Sequence, residues 1–549
     1  MKTVKRALAL VLALTLLLAM SATVFAADDT TYTITINNTT TGHTYEAYQI
    51  FAGDLAEKDG KTILSNITWG NGITDAGKTA LGNAAVKAET LKTANDAAAF
   101  AKAVAPYLQN STTSAEDTGK YTISGLKAGY YLVKDTQAPA DDFYSAYIME
   151  VVSNVEAEPK GDKPTVDKNI KDNGETTKVN EASIGDVINY EVKSAVPDMT
   201  GYTKYFFVMN DTLSKGLTYN DDMVIKVGNT TLTKDTGYTV TAVKNDNGTT
   251  SIEIVFKNFV GYKDRVGADV IVTYSATLNQ DASLDPVAGN PNKVQLTYSN
   301  NPNVDGNGDP QNPDKPGEGA PTGKTPESET KTYVTGIKLT KVDGQNKNQT
   351  LTGAKFEIKG DGMKVVLVNE EMYKKSTTGT YYMLKNGKYT EIDPVTEKSA
   401  EGYNADQYDD VNQKYEKVTA VTKDTVNTKV NATGYVDENG VLTFEGLGEG
   451  TYTITEIIAP EGYNLLKAPI TVEIEAKATF DKCEWTVTAD GKSVTADNNL
   501  YAFRIENKSG AELPSTGGIG TTVFYVLGGL LVVCAGVLLI TKRRMNKNA

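Results

Sequence analysis

Side chains along a β-strand alternate between two faces, so apolar residues at every second position mark a strand with one buried face. This period recurs along the chain: Ile188, Tyr190, Val192; then Ile252, Ile254, Phe256; then Val270, Val272, Tyr274, Ala276, Leu278. Turn signals such as Asn247-Gly248 separate the runs. Many such strands with polar turns predict an all-β protein of Ig-like β-sandwiches in tandem. The length of 549 residues fits three domains. The first, 27–160, opens with a strand near 32–37, continues through an alanine-rich helical region at 75–109, and closes with strands at 121–133 and 144–152. It therefore carries some helix. The second covers 161–302. Residues 303–330, rich in Pro, Gly, Asn and Asp, read as a linker or long loop. The third, 331–512, contains a Tyr- and Lys-rich insertion at 363–428 with no assigned role.

The same parity places three polar residues where apolar ones belong. Ile337, Leu339 and Lys341 share a face; so do Tyr452, Ile454 and Glu456; so do Phe503, Ile505 and Asn507. The second domain repeats the order with Val166, Lys168, Ile170, then Tyr205, Phe207, Met209, Asp211, then Asn292, Val294, Leu296, Tyr298. Any one of these could be a strand end emerging into water. The same trio occurring twice in the same order argues against chance. Burial disfavours charge, so the lysine is pushed towards a neutral, nucleophilic amine and the acid towards its protonated form. A protonated carboxyl can polarise the asparagine carbonyl. Attack by the amine then expels ammonia and leaves a Lys–Asn amide between the first and last strands of each domain. Asn290 and Asn300 are nearby rivals of Asn292. The first domain has Asp135 at the acid position but no lysine in its opening strand, which predicts no bond there.

A second kind of staple is absent. Cys534 lies in an apolar C-terminal run, leaving Cys483 without an intramolecular disulfide partner in the exported region. The single histidine, His43, sits in a polar stretch with no catalytic or metal-binding motif around it. Asp305, Asn307 and Asp309 lack the rest of a calcium-loop pattern. The paired acids Glu370-Glu371 and Asp409-Asp410 lie in polar stretches that would not raise a carboxyl pKa for glycosidase chemistry. No enzyme, metal or cofactor is read from these residues.

The two ends specify export. Lys2, Lys5 and Arg6 precede an apolar run at 7–20 and the small-residue site Val24-Phe25-Ala26, a signal peptide over 1–26. At the other end come Leu513-Pro514-Ser515-Thr516-Gly517, an apolar run at 521–540 long enough to cross a bilayer, and the basic stop Lys542, Arg543, Arg544. The full chain has a formal charge of −14. Removing three basic residues with the leader and four after Thr516, and no acids, takes it to −21. Such a chain repels nucleic acid and stays soluble.

The ordered C-terminal triplet at 513–549 resembles the cell-wall sorting signal of sortase substrates. That resemblance implies cleavage between Thr516 and Gly517 and transfer of the Thr516 carbonyl to an amine. Lys341-Val342-Asp343, the run Leu351 to Phe356 and the pattern from Tyr452 through Glu456 to Tyr463 resemble a Cna-B-type domain. In that family the Lys, Glu and terminal Asn form the amide. The segments 211–217 and 292–302 resemble the isopeptide-forming second domain of Gram-positive fimbrial shaft subunits, the backbone pilins. Val155-Glu-Ala-Glu-Pro-Lys160 is similar to the family's pilin motif, although Glu158 stands where that motif has a tyrosine; Lys163 is the rival acceptor. Together the resemblances imply a peptidoglycan-anchored, cell-surface pilus subunit. Its partners would be copies of itself, a sortase and peptidoglycan, and possible further ones are minor pilins and host ligands. The alternative is a monomeric wall-anchored adhesin or a tip or base pilin.

Overall fold

The computed structural model describes residues 30–58, 60–139, 142–159, 163–304, 306–361, 366–385, 389–422, 429–510 and 519–545. Among the described residues strands dominate and fall into five sheets. In the first unit a four-stranded sheet packs on a five-stranded one. Tyr32–Ile36 runs antiparallel to Lys120–Leu126 and parallel to Val155–Ala157 in the smaller sheet. Its Ile34 and Ile36 share a core with Tyr45, Val133 and Tyr147 of the larger one. The outer face of the larger sheet is covered by three helices, Asp75–Leu81, Ala84–Glu89 and Ala94–Val104. There Phe51 stacks on Trp69 and Phe100. Alanine favours helix throughout this region. The breaks come from caps: Thr74, Asn83 and Thr93 each accept a backbone N–H, and Thr93 completes a capping box with Asp96.

The middle unit is a sandwich of two seven-stranded sheets. One sheet holds the strands Asp167–Asp172, Val187–Ala195 and Asp269–Leu278 in that order. The other places Phe207–Leu213 beside Asn290–Ser299. Their inward residues merge into one core that includes Tyr190, Phe207, Met209, Val272 and Leu296. Alternation identified these strands because one face carries the large apolar residues, even though Val208, Ser275 and Thr297 on the other parity are also covered.

Two expectations need correction here. The stretch 303–330 is more than a linker. Thr322–Lys324 pairs with the Asn290–Ser299 strand, and Ser328–Tyr333 pairs antiparallel with that same strand and parallel with Val179–Glu181. The closing strand hid because the alternating positions it buries are Thr330 and Thr332, both fully covered, with Tyr333 the one apolar residue buried in it. Thr332 is accommodated by donating to Asn180 Oδ1 at 2.8 Å. The third unit accordingly begins its first strand at Thr335. It also follows that Asn292 is not on the last strand of the middle unit.

In the third unit the strand Thr335–Asp343 lies parallel to Leu500–Asn507, the first strand beside the last. The core holds Ile337, Leu339, Phe356, Phe444, Tyr452, Ile454 and Ile505. The Tyr-rich insertion extends the sheet: Val366–Ser376 pairs with Lys414–Thr422, which continues to Tyr381–Met383 and Tyr389–Thr390. Its tyrosines pack on one another, with Tyr373 and Tyr389 stacked at 3.9 Å and Tyr381 and Tyr415 edge-on to that pair. They are spent largely on an internal core rather than displayed.

The units meet through backbone. Ile184 N–H donates to Gly446 O at 3.0 Å and Tyr144 N–H to Asn300 O at 2.7 Å. Gly446 has φ 91°, and a Cβ there would lie 2.6 Å from Ile184 Cδ1, so the junction between the middle and third units requires glycine. Beyond the sandwiches, Ile519–Met545 is a helix whose segment Tyr525–Arg543, of mean hydropathy 2.1, is long and apolar enough to cross a membrane. The signal peptide, Lys160 and Leu513, Pro514, Ser515, Thr516 and Gly517 lie outside the described residues.

Candidate functional site

The third unit brings its three inward polar residues together. Lys341 and Asn507 sit on neighbouring parallel strands, where Lys341 is opposite Ile505 and Asn507 is opposite Asp343. The two side chains are thus diagonal neighbours on one face. Glu456 reaches them from the strand Gly450–Ile458. All three are nearly fully buried. Lys341 Nζ donates to Asn507 Oδ1 at 2.6 Å and to Ile505 O at 3.0 Å. Asn507 Nδ2 donates to both oxygens of Glu456, at 2.9 and 3.0 Å. Leu466 N–H fixes Glu456 Oε2 at 2.9 Å, and Oε1 lies 3.7 Å from Lys341 Nζ. Burial lowers the Lys341 ammonium to about 8, against the opposing pull of the Glu456 charge. About a tenth of the amine is therefore neutral at pH 7, far more than for an ordinary lysine. Burial chemistry alone predicts the carboxyl on the asparagine carbonyl. In the structure it touches the amide nitrogen, the leaving group, instead.

The middle unit assembles the same residue types from different directions. Asp211 and Asn292 lie on adjacent strands of one sheet, with Leu213 opposite Asn292. Lys168 comes from the facing sheet. Lys168, Asp211 and Asn292 are buried to 0–1% exposure. Lys168 Nζ donates to Asp211 Oδ2 and to the Tyr274 hydroxyl. Tyr274 in turn donates to Asp211 Oδ2 at 2.8 Å and accepts from Asn292 Nδ2 at 2.9 Å. The rings of Tyr274 and Tyr190 flank the ammonium at 4.8 and 5.1 Å. Burial pushes Lys168 below and Asp211 above their ordinary ranges, although each opposes the other's shift. Both move towards neutrality. A link here would cross the sandwich between its two sheets, whereas one in the third unit would join two strands of a single sheet.

The rivals of Asn292 are engaged elsewhere. Asn290 is buried but holds Ser283 and Thr332 backbone groups, and Asn300 donates to Asp142 O. Two residues were missed. Tyr274 stands in the apolar parity of its strand, and its hydroxyl is the single signal in the sequence that sets it apart from its neighbours. His43, read as lying in a polar stretch, is 5% exposed and pairs through Nδ1 with Asp135 Oδ2 at 2.8 Å. Burial works against the imidazolium, but Asp135, with Asp142 3.6 Å from Nε2, holds its pKa above the usual value. The first unit thus sets an imidazole, from the loop before the strand Thr44–Lys58, against its buried acid.

These features match known proteins. Residues 184–302 fit the family model described as Gram-positive pilin backbone subunit 2, Cna-B-like domain. Residues 411–489 fit a prealbumin-like fold domain, and 505–547 an LPXTG cell wall anchor motif. Over 409 residues, 70% of each chain, the protein is 26% identical to the trypsin-resistant surface T6 protein of Streptococcus pyogenes. It is 23% identical over 465 residues to fimbrial subunit type 1 of Actinomyces viscosus, covering 80% of this chain and 77% of that one. The solved T6 backbone pilin of serotype M6 Streptococcus pyogenes superposes with a TM-score of 0.52 at 17% identity, covering 89% of this chain and all of that one. The chain thus carries a Gram-positive pilin backbone domain and an LPXTG cell wall anchor motif, and these support a structural subunit of a surface-displayed pilus held at the cell wall.

Proposed function

We propose that this subunit is covalent twice over: braced internally by Lys341–Asn507 and Lys168–Asn292 amides, and joined to the next subunit through Thr516. Its role is then mechanical rather than catalytic. The observation that carries the reading is the third trio, with the Lys341 amine against the Asn507 carboxamide and the Glu456 carboxyl on the nitrogen that must leave. The neutral amine attacks Asn507 Cγ. Glu456 takes a proton from Nζ and delivers it to Nδ2. The C–N bond breaks, ammonia departs, and the amide remains with Glu456 restored. Asp211 has the corresponding role in the middle unit. A sortase would cleave between Thr516 and Gly517 within Leu513–Gly517 and pass the Thr516 acyl group to Lys160 of another copy, with exposed Lys163 as the rival amine. Such head-to-tail bonding does not close and so gives a filament.

Two measurements test this reading. The intact mass of residues 27–512 should be short by two ammonias; a loss of none or three contradicts the internal amides. An immunoblot of denatured cell-wall extracts should show a high-mass ladder that collapses to monomer with Lys160→Ala and persists with Lys163→Ala. A single monomeric band from the native chain would point instead to a wall-anchored adhesin, with minor pilins or host ligands as its partners.

A further inference from the structure

The two trios differ in how the acid reaches the asparagine. Glu456 contacts the Asn507 amide nitrogen directly. Aspartate is one methylene shorter, and the contact of Asp211 runs through a hydroxyl: Asp211 Oδ2 accepts from Tyr274, and Tyr274 accepts from Asn292 Nδ2. Tyr274 also receives a hydrogen bond from Lys168. Its hydroxyl is thus the one group that touches the nucleophile, the acid and the leaving nitrogen together. It comes from the Lys168 sheet, two strands away, where Tyr190 lies directly opposite Tyr274. The tyrosine is fully buried, so bulk water is not the medium that links these groups.

We propose that Tyr274 is a catalytic residue of the middle unit, relaying the proton that Asp211 cannot deliver to Asn292 itself. This rests on the reading that Lys168 and Asn292 become joined. The neutral Lys168 amine attacks Asn292 Cγ. Tyr274 gives its hydroxyl proton to Nδ2 and regains one from protonated Asp211, and the Asp211 carboxylate so formed takes the proton of the attacking amine. The C–N bond breaks, ammonia leaves and the carbonyl reforms. Lysine amine and asparagine amide have become a substituted amide and ammonia, with Tyr274 and Asp211 unchanged. The third unit needs no such residue because the longer glutamate spans the gap.

The test follows ammonia loss with time by intact mass in newly synthesised chain of residues 27–512. Each species also carries Lys341→Ala, so only the middle reaction contributes. Loss of one ammonia from this parent establishes the underlying amide; no loss refutes that reading, and the relay with it. Given a reacting parent, Tyr274→Phe is expected to slow the loss by about 100-fold or more, as general acid–base removal does. A rate within threefold of the parent overturns the relay and leaves the amide standing. Fluorinated tyrosine at position 274 keeps the ring and hydroxyl but changes the acidity of the proton. A rate that moves with the fluorine count supports proton transfer, and an unmoved rate assigns Tyr274 a packing role and overturns it. This second measurement decides the matter even where Tyr274→Phe does not fold.

Discussion

Replacing Glu456 with glutamine tests the third-unit chemistry with little change in shape. The glutamine oxygen can still accept from Leu466 N–H, which Glu456 Oε2 now does at 2.9 Å. It cannot take a proton from Lys341 and return it to the leaving nitrogen. Once the mass change of the substitution itself is allowed for, the Glu456→Gln chain should therefore retain one ammonia that the native chain loses. The proposed link closes 166 positions. In the chain-entropy model, losing a cross-link over a loop of that size costs about 5 kcal/mol, an upper figure because native strain and residual unfolded structure reduce it. For a domain of this size each kcal/mol moves the midpoint by about 2–4 °C, so the third-unit transition should fall by about 10–20 °C. Scanning calorimetry of residues 27–512 gives the shift, and intact mass on the same sample gives the bond. A variant that loses as many ammonias as the native chain, or one lacking the bond whose transition moves by less than ~3 °C, would refute the reasoning.

Two further outcomes follow from burial. In Asn507→Ala the Lys341 amine stays free. Its folded value of about 8 lies below its ordinary value, so the unfolded chain binds more protons between the two. Stability of this variant should therefore rise with pH from about 8 to about 10.5, by about 3 kcal/mol in all. The bonded native chain has no such titration at this position, and urea unfolding across that range would expose a flat response in the variant as an error in the argument. Cys483 is buried at the junction of the middle and third units, where its N–H donates to Pro286 O at 2.7 Å. Burial first, with the Glu181 charge, pushes its thiol up to about 12. It should resist thiol reagents at pH 8 in the native chain and react fully after denaturation; stoichiometric labelling of folded protein would contradict this.

What the sequence determined by itself was the face of each strand and, near the C-terminus, the anchoring motif. Parity is local: Lys341, Glu456 and Asn507 point inward because their neighbours at two-residue spacing are apolar, and the same holds for Lys168, Asp211 and Asn292. Short segments were enough to mark them as inward-facing. Pairing between distant strands is not local. Only the tertiary structure decided that Lys341 and Asn507 share one sheet while Lys168 faces Asp211 and Asn292 across a sandwich. It alone converted part of the linker into a closing strand built on buried threonines, whose hydroxyls find partners that no sequence pattern names. His43 and Tyr274 belong to the same class. A histidine in a polar stretch and a tyrosine in an apolar row acquire chemistry from the groups that long-range packing sets against them: Asp135 for the first, Lys168, Asp211 and Asn292 for the second.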